Sequence, residues 1–279
     1  MKSFWKFTFA SVLGFILASI LLTLISFIIF GAVVSSATQE ETVEVEENTL
    51  LLLKLNKPIV DRASNNPFEN FNFQGLKPDN QLGLNTLLKA IDNAKEDDRI
   101  QGIVLSLSNV QAGMANLDEI RRALKNFKEE SGKTILSYAD VYTQQSYYLA
   151  SLADTIYMQP EGELGLIGLN AQVLFFRNML DKVGVDPIIL RHGKFKSAIE
   201  PFMMEKMSEA NREQTSTYLN SIWDYMVEGM AAARGIGFEQ MHELINSLDY
   251  IEAENVVAKG LVDGLIYKDE FLAKLRAQT

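Results

Sequence analysis

Between Phe7 and Gln39 the chain carries no charged side chain, and from Phe9 to Val34 it is almost wholly apolar. A helix rises 1.5 Å per residue, so about 20 such residues cross the ~30 Å hydrocarbon core of a bilayer. The stretch predicts a membrane-spanning helix, and whatever folds beyond it folds as a tethered domain. A cleaved signal peptide is the competing reading, since Ser35-Ser36-Ala37 supplies small residues. The apolar region of such a peptide normally covers only about 7–15 residues, however, which favours the anchor. Lys2 and Lys6 precede the span, whereas Glu40, Glu41, Glu44, Glu46 and Glu47 follow it. Basic flanks stay cytoplasmic. The expected layout is a cytoplasmic N-terminus over residues 1–6, an anchor over 7–36, an acidic, solvated stalk over 37–48, and one domain over 49–279 facing a periplasm.

Past the stalk, helical and extended patterns alternate. The apolar run Thr49-Leu50-Leu51-Leu52-Leu53-Lys54-Leu55, closed by Pro58, predicts a buried first strand. Residues 63–81, rich in Asn, Pro and Phe, predict a surface excursion whose aromatics tuck onto their own domain. A helix over 82–98 then leads to a strand at 100–107. A second helix, marked by Leu117, Ile120, Leu124 and Phe127, leads to a strand at 134–138. A third pair is expected at 146–153 and 154–158, and a fourth at 171–183 and 187–190. Repeated helix–strand steps with continuous apolar strands predict an α/β fold with a mostly parallel sheet and flanking helices. After Pro201 the pattern becomes a long helix with Tyr218, Ile222, Tyr225, Met226 and Met230 on one stripe, ended by Gly235 and Gly237. That stripe reads as core. Two shorter helices, at 252–259 and 269–276, bracket Leu261-Val262-Asp263-Gly264-Leu265-Ile266.

Composition removes several function classes. Acidic residues outnumber basic ones 36 to 26, for a net charge of −10, which argues against a nucleic-acid surface that neutralises phosphates. There is no cysteine, hence no thiolate nucleophile and no Cys-based metal site. His192 and His242 are the sole histidines and lie in no metal-ligand spacing. No metal or cofactor is expected, and both histidines read as structural.

The segment Arg191-His192-Gly193-Lys194-Phe195-Lys196-Ser197-Ala198-Ile199-Glu200-Pro201-Phe202 places two lysines one residue apart beside a glycine and an aromatic ring. An amine withdrawn from water favours its neutral form, and one poised near neutrality can act as a general base. Partial desolvation of one of the two lysines is the expectation. On spacing alone, the bland reading of Lys196 is a surface lysine lying along Phe195 with Glu200 as ion partner, and Lys194 competes with it for the basic role.

The run from Gly193 to Phe202, followed by Met207-Ser208-Glu209-Ala210-Asn211-Arg212, resembles the lysine motif of the signal peptide peptidase A family, also called protease IV. Similar likenesses lie in Gln144-Gln145-Ser146-Tyr147-Tyr148-Leu149-Ala150-Ser151-Leu152-Ala153-Asp154, in Leu180-Asp181-Lys182-Val183-Gly184-Val185 and in Ala258-Lys259-Gly260-Leu261-Val262-Asp263. The resemblance implies a crotonase/ClpP-like spiral and gives Lys196, rather than Lys194, the part of general base in a serine–lysine dyad. It places this chain as the N-terminal half of the long form, whose second domain supplies the serine. Gln144 stands where short members carry the nucleophile, and an amide cannot attack a carbonyl. Ser146, two residues on, is expected to cap or pack. Val110-Gln111-Ala112-Gly113-Met114 replaces a richer glycine turn, with Gly113 as a turn residue. The implied activity is that of a serine endopeptidase degrading cleaved signal peptides or other apolar peptides at the bacterial inner (plasma) membrane, without a cofactor and as a homo-oligomer. The rival reading is a catalytically silent, membrane-tethered peptide-binding or assembly subunit. A coenzyme A enzyme of the wider crotonase group is disfavoured, because neither span nor outward topology serves that chemistry.

Overall fold

The computed structural model describes residues 2–38, 44–63, 71–72, 77–78, 81–107, 109–188, 190, 193 and 195–278. They fall into two compact units, residues 1–45 with 64–80, and residues 46–63 with 81–279. The first contains helix α1 (Lys2–Thr38), in which Ser3–Ile29 is long and apolar enough to cross a membrane. Its large side chains from Phe4 to Ile29 are exposed around the helix, as a lipid-facing helix requires. The same unit holds the two-residue strands β3 (Phe71–Asn72) and β4 (Lys77–Pro78), paired antiparallel. Of the expected excursion over 63–81, residues 64–70, 73–76 and 79–80 lie outside the described residues.

The second unit is an α/β domain. Strands β1 (Thr49–Lys54), β6 (Ile100–Ser106), β7 (Thr134–Thr143), β8 (Thr155–Gly165) and β9 (Gly264–Leu265) form one sheet in that spatial order, every pair parallel. A small parallel ladder joins β2 (Ile59–Val60) to β5 (Leu82–Gly83). Parallel neighbours need crossovers, which helices α2 (Leu84–Glu96), α3 (Met114–Ser131) and α4 (Gln144–Ala150) provide. This is the mostly parallel, helix-flanked architecture of a ClpP/crotonase-like fold.

In α3, Leu117, Ile120, Leu124 and Phe127 are wholly buried, the stripe expected from their spacing. Arg121 lies among them. Its guanidinium donates to the carbonyl of Tyr148, to Ser151 Oγ at 2.9 Å and to the carbonyl of Gly229 at 2.5 Å, and rests 4.3 Å from the Tyr148 ring centroid. One buried cation thereby ties α3 and the end of α4 to α7 (Glu209–Arg234). On the sheet, Val104, Leu136 and Tyr138 pack with Phe271 of α10 (Lys268–Gln278), the Tyr138 and Phe271 rings stacked 5.0 Å apart.

Gly102 in β6 pairs with Leu50 and Thr134 on its two sides. A Cβ there would lie 2.5 Å from the Thr134 carbonyl oxygen and 3.0 Å from its Oγ1. Gly102→Val is therefore expected to destabilise the domain by at least about 1–3 kcal/mol, the usual cost of overpacking, read as a lower urea midpoint. An unchanged midpoint would mean that β6 and β7 part without cost.

Three expectations are corrected. The helix expected over 171–183 is confined to α5 (Arg177–Lys182). Residues 187, 188 and 190 form no strand, so the lysine segment does not leave the sheet. The strand expected at 154–158 continues as β8 to Gly165, past a register shift opposite Ala139/Val141. There Gly162 passes so close to the Asp140 carbonyl that a Cβ would stand 2.5 Å from it. The remaining helices are α6 (Glu200–Met203), α8 (Phe238–Ser247) and α9 (Ala253–Ala258). As expected, the long helix α7 ends at Gly235, whose φ of 66° suits glycine.

Candidate active site

Beyond β8 the chain leaves the sheet as an arm that reaches α7. Among the described residues of the arm, regular structure is confined to α5 until a 3₁₀ turn, Ser197–Ile199, for which Lys196 is the N-cap residue. The turn runs directly into α6, whose early Pro201 suits a first helical turn because proline's fixed φ is already helical there. Gly193, three residues before Lys196, has φ 96°, a conformation that side-chain-bearing residues resist. Lys196 is exposed. The desolvation expected of one lysine is thus not supplied to Lys196 within this chain, and Lys194 and His192 lie outside the described residues.

The downstream side of the turn is well anchored. The Phe176 N–H donates to the Pro201 carbonyl at 2.7 Å, and the Phe176 and Phe202 rings stack 5.9 Å apart. Arg177 braces the segment through ion pairs to Asp181 at 2.8 Å and Asp186 at 3.2 Å. Upstream the picture reverses. Ile188 and Leu190 are 95% and 94% exposed, and Val183 and Phe195 are 65% and 50% exposed. Val183, Ile188 and Leu190 thus present exposed apolar surface on the stretch of chain that precedes the lysine.

A second locus lies at the C-terminal end of β7, where α4 begins. Thr143 caps α4, its Oγ1 accepting the Ser146 N–H at 3.3 Å. Ser146 is fully buried, and its hydroxyl donates to the Thr143 carbonyl at 2.9 Å. The cap is therefore Thr143, and Ser146 packs inward with its proton committed to the backbone. Gln144 Oε1 accepts the Gly168 N–H at 2.9 Å, and Gln145 Nε2 donates to the Ala112 carbonyl at 3.2 Å. These two amides stitch the start of α4 to the loop after β8 and to the turn before α3. Gly113 has an ordinary φ of −65° and serves as the N-cap residue of α3.

The two tyrosines that follow are structural. Tyr147 donates to the Leu261 carbonyl at 2.7 Å, and Tyr148 donates to Asp118 Oδ1 at 3.1 Å. Burial pushes both phenols up, so both hydroxyls keep their protons near neutral pH and stay committed to these bonds. His242 packs on Phe238 at 4.6 Å between ring centroids and sets Nε2 3.3 Å from Asp224 Oδ1, across on α7. The ring thus joins α8 to α7 through packing and one polar contact. Glu200, the ion partner of Lys196 only in the bland reading of that lysine, is fully buried and accepts from Ser208 and Asn211. An acid four residues after a lysine reads as a local pair, whereas Ser208 and Asn211, which donate to this carboxylate, lie eight and eleven positions on.

The lysine-bearing arm and the start of α4 both fall in a region of the chain that is similar to known proteins. The family model described as peptidase family S49 matches residues 127–279, which include both loci. The chain is 38% identical over 172 residues to Protease 4 of Haemophilus influenzae, covering 61% of this chain and 27% of that protein. It is 36% identical over 156 residues to Protease 4 of Salmonella typhi, covering 56% and 25%. With the chloroplastic serine protease SPPA of Arabidopsis thaliana it shares 32% over 195 residues, covering 70% and 28%. The matched region thus spans only about a quarter of each of these relatives.

Proposed function

The chain belongs to peptidase family S49, and from that premise we propose that it is the lysine-bearing part of a membrane-anchored serine endopeptidase. Lys196 is the general base, and the serine comes from a second domain that packs on the arm. As the serine Oγ attacks the peptide carbonyl, its proton passes to the lysine Nζ. That proton then goes to the departing amine, leaving an ester on the serine, which water hydrolyses to free the acid and restore the hydroxyl. The observation that carries this reading is the exposed apolar arm around Lys196. A domain covering Ile188, Leu190 and Phe195 would bury that surface and, in the same step, withdraw water from the amine, which favours the neutral form a base requires.

Apolar peptides, among them cleaved signal peptides, are the proposed substrates, and the catalytic domain is proposed to face the periplasm from the inner membrane. The anchor would hold the site beside the bilayer, where such peptides partition. Homo-oligomerisation is part of the same proposal, since exposed apolar arms from several copies can be covered in a closed ring. The test is peptide hydrolysis by this chain alone, then with a serine-bearing partner domain, each as wild type and as Lys196→Ala. Activity that needs the partner and survives in the lysine variant would refute the role of Lys196.

The second reading, a silent peptide-binding or assembly subunit, draws on one observation: Gln144 occupies the Gly168 N–H from the place where a nucleophile is expected. Under that reading the chain with its partner hydrolyses no peptide, whatever stands at position 196.

A further inference from the structure

Glu200 is a wholly buried acid one short turn from the proposed base. Its Oε1 accepts the Ser208 hydroxyl at 2.6 Å, while Oε2 accepts the Ser208 N–H at 3.2 Å and the Asn211 Nδ2 at 2.9 Å. Ser208 in turn caps α7, its Oγ accepting the Asn211 N–H at 3.1 Å. Thr215 Oγ1 donates to Asn211 Oδ1 at 3.2 Å, which fixes the amide with its NH₂ toward the carboxylate. The carboxylate therefore sits at the positive end of a 26-residue helix, where negative charge is favoured.

Ser208 alone would suffice to start that helix. A buried carboxylate adds desolvation cost, so its presence calls for a reason beyond capping. Glu200 closes the 3₁₀ turn that Lys196 opens, and with the Pro201–Phe176 bond and the Phe202–Phe176 stack it anchors the downstream end of the turn.

We infer that Glu200 is a positioning residue for Lys196, its carboxylate clamping the turn that presents the amine onto the N-terminus of α7. The inference rests on the reading of Lys196 as the base. Glu200→Gln keeps the shape but turns one of the two accepting oxygens into an NH₂ group, which then faces either the Asn211 amide and the Ser208 N–H or the donating Ser208 hydroxyl. In the full chain assembled with a serine-bearing domain, it is expected to lower kcat for an apolar peptide about 10–100-fold with KM within about twofold, as misplacement of a reacting group by about an ångström does. Combining Glu200→Gln with Asn211→Asp moves the carboxylate across the pair and re-forms the amide–carboxylate bond, so kcat is expected to return to within about threefold of wild type. Leu124→Ala, a core change remote in sequence from the arm, should lower Tm while leaving kcat within about twofold. If Lys196→Ala leaves hydrolysis intact, the assignment of the base is what fails. If Lys196→Ala abolishes hydrolysis but Glu200→Gln keeps kcat within twofold, or the swapped pair does not recover it, the positioning role is overturned. Should Glu200→Gln fail to assemble, the swapped pair and Asn211→Ala, which removes a single donor, report the same split of kcat against KM.

Discussion

Lys196→Ala is expected to reduce peptide hydrolysis by the assembled enzyme about 10⁴-fold, the upper end of what a positioned general base contributes. That factor corresponds to about 5 kcal/mol of transition-state stabilisation. Lys196→Arg should be equally slow, because a guanidinium stays protonated and cannot accept the serine proton. The side chain is exposed in the chain, so neither change should alter its folding stability by more than about 0.5 kcal/mol. A rate loss without a stability loss separates chemistry from folding, which a buried base would not allow so cleanly. The decisive measurement is single-turnover acylation of the partner serine by an activated ester, with urea midpoints of each variant alongside. Acylation at the wild-type rate in Lys196→Ala would transfer the role of base to another group.

The legible and illegible parts of this fold differ for one physical reason. Leu50-Leu51-Leu52-Leu53, Ile103-Val104-Leu105 and Ile135-Leu136 are continuous apolar runs, as strands inside a helix-covered parallel sheet should be, and all enter the sheet. Pro187-Ile188-Ile189-Leu190 is a run of the same kind, yet Ile188 and Leu190 are almost fully exposed. An apolar run signals that burial is needed and is silent about what does the burying. The same holds for the expected helix over 171–183, of which only Arg177–Lys182 is helical while Leu174 and Val183 are 73% and 65% exposed. At the site, Lys196 stood out through a motif, whereas the inward turn of Ser146 depends on the Thr143 cap, and the burial of Glu200 depends on Asn211 from the next helix. Neighbours in sequence can be read from sequence; partners brought together by a crossing helix cannot.

The absence of cysteine makes orientation directly measurable. With Ser3→Cys and Glu47→Cys in separate variants, a membrane-impermeant maleimide applied to spheroplasts is expected to label position 47 fully and position 3 only after permeabilisation. Both positions are exposed on the structure, so access depends on the bilayer and not on burial. A lysine at the centre of a spanning helix costs at least about 2.5 kcal/mol, and basic flanks are held on the cytoplasmic side. Lys2 and Lys6 lie at one end of α1, with no basic residue between Lys6 and Lys54. Reversing the charge pattern, with Lys2→Glu and Lys6→Glu together with Glu44→Lys, Glu46→Lys and Glu47→Lys, should weaken or invert this labelling. The inverted pattern in the unaltered flanks would put the domain in the cytoplasm, away from peptides released on the outer side, and would leave proteolysis of cleaved signal peptides without a route from substrate to Lys196. Labelling at position 47 alone would place the domain and its lysine on the outer side of the membrane, where cleaved apolar peptides are released.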